Sequence, residues 1–178
     1  YDVARADIEQ TENEDGSVSL SSADGTATVT GLERLELTDG TFLYGIEHDR
    51  TDFVYGLYAA SLDRTPDEAG FVFWNEAARD PDGFSDEDLA NFFVESPEFA
   101  TLFDEDIADR DFINQLYTVV LDREADQPGF DFWLNAFETD LFTRAGMLNF
   151  FVDSPENLGR IEADVSDGYW VVDGDAMM

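Results

Sequence analysis

The stretch LDRTPDEAGFVFW, residues 62–74, returns in this chain as LDREADQPGFDFW, residues 121–133, at an offset of 59 residues. Two further blocks return in the same order at almost the same offset: DFVYGLY (52–58) as DFINQLY (111–117), and NFFVESPE (91–98) as NFFVDSPE (149–156). Three matched blocks in one order at one spacing indicate a structural repeat. The sequence therefore predicts that the chain contains a tandem duplication.

The composition is strongly acidic but still apolar enough to build a core. The chain has 178 residues, of which 43% are hydrophobic, and its 42 Asp and Glu against nine Arg and no Lys give a net charge of −33. Such a chain repels phosphates and anionic headgroups, so we exclude nucleic acid and anionic membrane as partners. The excess of carboxylates is typical of proteins kept soluble in concentrated salt, which screens self-repulsion. A second interpretation is that some carboxylates hold divalent cations.

Cysteine and long apolar segments are both missing from the sequence. The chain therefore forms no disulfide and no thiolate metal site. Without a run of about 18 apolar residues, the sequence predicts no membrane span. Because Tyr1 begins in mid-pattern without an initiating Met, we expect a piece of a longer protein.

Residues 1–46 are predicted to form a β-hairpin segment that ends a larger β structure. Asp-Gly between short β-forming runs is a strong hairpin signal, because Gly adopts positive φ easily. Three such pairs occur, at residues 15–16, 24–25 and 39–40. The tail, residues 165–178, contains one further predicted strand from Tyr169 to Val172.

Beyond the β segment the apolar pattern changes to a helical period. Residues 52–110 form the first repeat and residues 111–164 the second, and four helices are predicted in each. In the second repeat these helices are predicted at 111–121, 127–137, 144–152 and 155–163. We therefore predict a mainly α fold of two homologous four-helix repeats that share a core, preceded by a small antiparallel β segment.

Capping residues predict where the helices begin. The N-caps are predicted at Asp67, Ser85 and Ser96 in the first repeat and at Asp126, Thr143 and Ser154 in the second. The first helix, from about residue 51 to 62, is predicted to place its apolar residues on one face. The third helix, which follows Ser85, is predicted to turn Leu89, Phe92 and Phe93 toward the core.

Both repeats resemble the domain-of-unknown-function family 4214, over residues 52–163. The likeness lies in LYAASLDRTPDEAGFVFW with FFVESPEF, and in LYTVVLDREADQPGFDFW with FFVDSPEN. The resemblance implies helical, non-enzymatic modules of large exported proteins such as adhesins, surface-layer-like proteins and repeat toxins. Residues 24–41 also resemble the β stretch that flanks calcium-binding nonapeptide arrays in secreted bacterial proteins. The second repeat has Ala125 where Pro is usual and Asn157 where Phe or Tyr is usual, so we expect its last helix to pack less tightly.

Six residues of the repeated motif are predicted to be structural: Arg64, Gly70, Trp74, Arg123, Gly129 and Trp133. The arginines are expected to pair with carboxylates, the glycines to allow close approach, and the tryptophans to fill the core. A sugar-stacking platform is the alternative for the tryptophans. The spacing Asp-x-x-x-Asp-x-x-Gly leaves a second alternative to helix capping, in which Asp63 with Asp67, and Asp122 with Asp126, bind a cation.

The segment DPDGFSDED, residues 80–88, is the main candidate calcium site. Asp80, Asp82 and Asp86 flank the turn at Gly83, and hard cations bind several oxygens that converge on such a loop. The alternative is a helix stop followed by a capped helix start.

Enzymatic chemistry has little support, because His48 is the only histidine and Cys is absent. We therefore expect no enzyme. The expected function is a non-catalytic structural or adhesive module of a secreted or cell-surface protein, acidic for high salt and assisted by calcium. The alternative is a carbohydrate- or partner-protein-binding module that uses exposed aromatic residues. The expected partners are other surface proteins or glycans.

Overall fold

The β structure forms two small antiparallel sheets. The computed structural model describes residues 3–80, 82–104 and 106–172. The sheets have the strand orders β1-β2-β3 and β4-β5-β6. The strands are Ile8–Glu12 (β1), Ser17–Ser22 (β2), Gly25–Thr30 (β3), Arg34–Leu37 (β4), Gly40–Leu43 (β5) and Tyr169–Val171 (β6). The three Asp-Gly pairs lie at the connections β1–β2, β2–β3 and β4–β5, as predicted.

Strand β6 connects the tail to the N-terminal segment, because it pairs antiparallel with β5 and places Trp170 opposite Phe42. Tyr169 and Val171 belong to the helical core, whereas Trp170 packs in a second cluster formed by the strands. The predicted strand is confirmed except at Val172, which forms only an isolated bridge. The rest of the predicted tail, 173–178, lies outside the described residues.

Eight α-helices occupy the described residues between 51 and 165. They are Thr51–Leu62 (α1), Glu68–Arg79 (α2), Asp86–Val94 (α3), Pro97–Phe103 (α4), Asp109–Leu121 (α5), Gln127–Glu138 (α6), Arg144–Val152 (α7) and Pro155–Val165 (α8). All six predicted N-caps are confirmed, since each side chain accepts a hydrogen bond from a backbone amide of the first turn. The mainly α fold with an antiparallel β segment at its N-terminal side is therefore confirmed.

Helix α1 lies at the centre of the helical part. It packs against α2, α5, α7 and α8, and it is buried on nearly all sides. The sequence predicted that α1 buries one apolar face. The buried surface of α1 is wider than that face, because Val54, Tyr55 and Ala60 are buried as well. A helix that is apolar all round belongs inside the protein. One cluster of buried side chains includes residues from all eight helices.

The third helices of the two repeats contact each other, since α3 packs against α7. Leu89 and Phe93, four residues apart, share the buried face of α3. The prediction that Phe92 also faces the core was wrong, because its ring is largely at the surface. Its side chain points about 100° away from that of Phe93 around the helix axis.

Candidate functional site

In each repeat one arginine connects the end of the first helix to the start of the fourth. Arg64 donates from Nε and Nη2 to both carboxylate oxygens of Glu98, and Arg123 does the same to Glu156. This bonding raises the pKa of Arg64 and lowers the pKa of Glu156. Each guanidinium also covers a tyrosine ring, at 5.1 Å for Arg64 over Tyr58 and 5.0 Å for Arg123 over Tyr117. The predicted arginine–carboxylate pairing is confirmed in both repeats.

The turn after the first helix has one backbone conformation in both repeats. Asp63 (φ 50°, ψ 41°) and Asp122 (φ 51°, ψ 38°) end α1 and α5 in the left-handed region. Asp67 and Asp126 then cap α2 and α6 through the amides that follow three residues later. The structure thus gives each of these four predicted ligands a backbone role, and their binding of a cation stays a prediction.

The two motif glycines allow a tyrosine hydroxyl to approach the helix start. A Cβ atom at Gly70 would collide with the hydroxyl of Tyr58, and one at Gly129 would collide with that of Tyr117. The predicted close approach is therefore confirmed at both positions.

Aromatic rings gather around Trp74 on the outside of the first repeat. Phe73, Trp74, Phe84, Phe92 and Phe93 form what we call the first aromatic cluster. The centroid of the Trp74 ring lies 5.0 Å from that of Phe73 and 5.4 Å from those of Phe92 and Phe93. Phe84 meets Phe92 edge to face at 5.1 Å. Contacts at these distances stabilise aromatic pairs beyond the burial of their area.

The second repeat carries five aromatic residues at the equivalent positions. Phe132, Trp133, Phe142, Phe150 and Phe151 form the second aromatic cluster, and they follow their counterparts by 59 or 58 residues. Trp133 lies 5.1 Å from Phe132, 5.4 Å from Phe142 and 5.2 Å from Phe150. Both copies thus keep five rings at equivalent positions, although Phe142 meets Trp133 where Phe84 meets Phe92.

Much of each cluster lies at the surface. The exposed fraction is 63% for Phe73, 53% for Phe132 and 61% for Phe150. Trp133 is only 3% exposed, as predicted for a core residue, whereas Trp74 is half-buried. The sequence pattern did not predict which aromatic rings are exposed. The signal was available, because Phe recurs in both copies at helix positions outside the buried face.

An ion pair between the first and third helices is present in both repeats with its charges exchanged. The Nε atom of Arg50 donates to Asp86 at 2.6 Å, and Nη2 of Arg144 donates to Asp109 at 3.0 Å. Position 50 corresponds to 109 at the offset of 59, and position 86 corresponds to 144 at the offset of 58. Each arginine also binds backbone carbonyls, of Ala78 and Phe84 for Arg50, and of Ile107 for Arg144.

Each repeat has a surface depression at the junction of its third and fourth helices. The first depression, of about 610 Å³, is lined by Glu95, Ser96, Pro97 and, from the other repeat, Arg144. The second depression, of about 480 Å³, is lined by Phe142, Gly146, Asn149, Phe150, Asp153, Ser154 and Pro155. Glu95 and Asp153 are equivalent residues, and the first depression also contains the carboxylate of Asp104.

The candidate calcium loop is arranged by local bonds. The amide of Asp82 donates to Oδ1 of Asp80 at 3.0 Å, while Asp86 belongs to the ion pair with Arg50. Ser85 and Asp88 form a capping box at the start of α3. Across 3–80, 82–104 and 106–172, no group of three or more acidic or histidine side chains is placed to hold a metal ion. Pro81 lies outside the described residues, and calcium binding stays a prediction.

His48 has both ring nitrogens engaged by the backbone. Its Nδ1 accepts from the amide of Arg50 at 3.2 Å, so Nε2 carries the proton and donates to the carbonyl of Asn75 at 2.9 Å. The ring thus connects the start of α1 to α2. Asn157, predicted to loosen the last helix, is fully buried, and its amide nitrogen donates to the carbonyl of Val152 at 2.9 Å.

Comparison with known families confirms part of the resemblance seen in the sequence. The family described as "Domain of unknown function (DUF4214)" matches residues 90–161, which are the end of the first repeat and nearly all of the second. No curated protein and no solved structure matches the chain. The likeness of residues 52–89 to this family, and that of 24–41 to a calcium-associated β flank, stay predictions. In the described part of the chain, none of the helices has the length and apolarity to cross a membrane.

Proposed function

We propose that this chain is a non-catalytic adhesive module of a secreted or cell-surface protein, and that it binds a partner protein through its two aromatic clusters. The observation that carries the proposal is the exposure of Phe73, Phe132 and Phe150 at equivalent surfaces of a chain that is otherwise strongly acidic. Exposed apolar patches of this kind mark interaction sites. Their duplication supplies two binding surfaces in one module, which raises avidity when both engage.

The chemistry of the exposed rings favours a protein over a glycan as the partner. Sugar platforms expose flat aromatic faces, usually with a polar group at their edge. Here the most exposed rings are phenylalanines, and they meet their neighbours steeply, at 78° for Phe73 on Trp74 and 68° for Phe150 on Trp133. Such a rough apolar surface fits side chains that insert between rings.

The role of the charge in this proposal is solubility in salt. With 42 acidic residues, the module avoids association with other acidic surfaces until salt screens the repulsion. Calcium assistance belongs to the proposal as an addition, because the loop at 80–88 supplies carboxylates, while its described residues form no assembled metal site. The location outside the cell rests on the implied kinship with exported proteins.

The test compares the wild-type chain with the triple variant F73S/F132S/F150S on a peptide array and on a glycan array. Both arrays are run in about 2 M NaCl, because salt at that concentration strongly screens the repulsion between acidic groups. We expect retention on peptides that present apolar residues, and its loss in the triple variant. The control is L158S, which removes an exposed apolar residue of α8 outside both clusters. Retention on glycans alone, or retention unchanged in the triple variant, would overturn the proposal.

A further inference from the structure

The exchanged ion pair makes the two depressions electrostatically different. Arg144 lines the first depression together with the carboxylates of Glu95 and Asp104. The residue equivalent to Arg144 is Asp86, and it acts on Asp153 of the second depression. The first depression therefore has an arginine beside its two carboxylates, whereas the carboxylate of the second has another acid nearby. Burial, and then the charge of Asp86, raise the pKa of Asp153.

Among the described residues, no basic side chain lines the second depression. Within the described ranges, no arginine lies within ion-pair distance of Asp153. Asp153 follows Phe150 by three residues, so the two side chains lie on one side of the end of α7 and line the same depression. The site thus combines an exposed ring with a carboxylate that is itself exposed, although neighbouring groups partly desolvate it.

Elsewhere in the chain, an aromatic ring and a carboxylate that lie close together are both contacted by an arginine of the same chain. A guanidinium lies over an aromatic ring while it pairs with a carboxylate in four places. These are Arg5 on Phe42 with Asp164, Arg64 on Tyr58 with Glu98, Arg123 on Tyr117 with Glu156, and Arg144 on Phe112 with Asp109. Phe150 and Asp153 offer the ring and the carboxylate without the guanidinium.

We propose that the second depression binds an arginine or lysine side chain of a partner polypeptide. The aliphatic stem lies against Phe150 and Phe142, and the cationic head pairs with Asp153. This inference rests on the proposed function and names the chemistry of the partner: a segment with a basic residue next to apolar ones. Charge complementarity supports it, since a basic segment is attracted to a chain of charge −33.

A second copy of the chain is a poor source of this cation. The sequence contains nine arginines and no lysine. Each arginine already contacts a carboxylate, a carbonyl or a ring of its own chain: Arg5, Arg34, Arg50, Arg64, Arg79, Arg110, Arg123, Arg144 and Arg160. A second copy would therefore have to supply an arginine that is already engaged in its own chain.

The experiment uses two peptides that differ only in charge, acetyl-Ala-Leu-Arg-Leu-Ala-amide and its citrulline analogue. Binding to the ¹⁵N-labelled chain is followed by amide chemical shifts in moderate salt. We expect shifts around Phe142, Phe150 and Asp153, and about fivefold weaker binding of the citrulline peptide, as a partly desolvated ion pair with ring contact predicts.

Two matched variants locate the charge effect. D153N should abolish the preference for arginine, while E95Q, at the equivalent residue of the first depression, should keep it. F150S should weaken both peptides.

The inference is overturned if both peptides bind equally, if E95Q rather than D153N removes the preference, or if these shifts appear on concentrating the chain without peptide. Equal binding that F150S still weakens would leave the aromatic docking surface standing and remove only the role of Asp153. The adhesive proposal itself is contradicted only if the triple variant F73S/F132S/F150S is retained like the wild type, or if the wild type is retained on glycans alone.

Discussion

Arg50 forms an ion pair with Asp86 in the first repeat. The equivalent residues of the second repeat, Asp109 and Arg144, form the same pair with the two charges exchanged. The pair connects the start of the first helix to the start of the third in both copies. Its persistence under charge reversal indicates that the attraction matters more than which helix carries which sign. Because α3 packs against α7, the exchange also decides which charge each repeat presents to the other.

The first prediction is that this pair tolerates a full exchange. R50D or D86R alone should lower the free energy of unfolding by about 1–3 kcal/mol, because each leaves backbone carbonyls or a charge without its partner. The double variant R50D/D86R should recover most of that loss. Urea unfolding at constant salt measures all three. A double variant as unstable as the sum of the single ones would contradict the prediction, and D109R/R144D is the matched test in the second repeat.

The second prediction separates the two motif tryptophans. W133A should cost about 3–5 kcal/mol, as expected for a buried aromatic residue, whereas W74A should cost clearly less because its ring is half-buried. Denaturant midpoints of the two variants and the wild type give the comparison. Equal losses at both positions would show that partial exposure of Trp74 does not reduce its contribution.

The third prediction concerns the carboxyl group of Asp153. Its pKa is raised by burial and by Asp86, so its protonation favours the folded state. The contribution of its protonated form to stability is present at low pH and is lost as pH rises through the folded-state pKa. A ¹³C titration should place Asp153 above the ordinary Asp value of about 3.9. In D86N the midpoint should fall only partly, because burial is the larger cause, and an unchanged midpoint would exclude Asp86 as a cause.

The fourth prediction is that salt stabilises the fold. A net charge of −33 repels itself in the compact state, and salt screens that repulsion. Thermal unfolding should shift upward between tens of millimolar and molar NaCl, a range over which the screening length falls from roughly 20 Å to roughly 3 Å. Differential scanning calorimetry provides the measurement. A melting temperature that stays flat or falls over this range would count against adaptation to salt.

The fifth prediction concerns calcium at residues 80–88. If the loop binds calcium only in the folded state, a hundredfold excess over Kd adds about 2.7 kcal/mol of stability. Millimolar calcium at constant high NaCl should then raise the melting temperature more than magnesium does, because magnesium resists dehydration. D82N should reduce the effect without unfolding the chain. If titration calorimetry detects no calcium heat and D82N melts like the wild type with and without the ion, the loop only stops one helix and starts the next.

The sequence by itself determined the features that depend on neighbouring residues. The Asp-Gly turns, the six N-caps and the helix order follow from bonds between residues two to four positions apart, and such bonds are visible as spacing. The duplication also allowed the sequence to predict that Arg64 and Arg123 pair with carboxylates. An arginine that occurs at the same position in both copies is expected to have the same role in both.

Tertiary structure alone decided the surface and the site. The pairing of β6 with β5, the enclosure of α1 and the contact of α3 with α7 join segments that lie far apart in the chain, and no local period encodes such contacts. These contacts leave Phe92 and Phe150 at the surface although their helices carry apolar neighbours. They also set Arg144 beside one depression and Asp86 beside the other. Packing thus gives two repeats that share the same matched blocks different electrostatic surroundings.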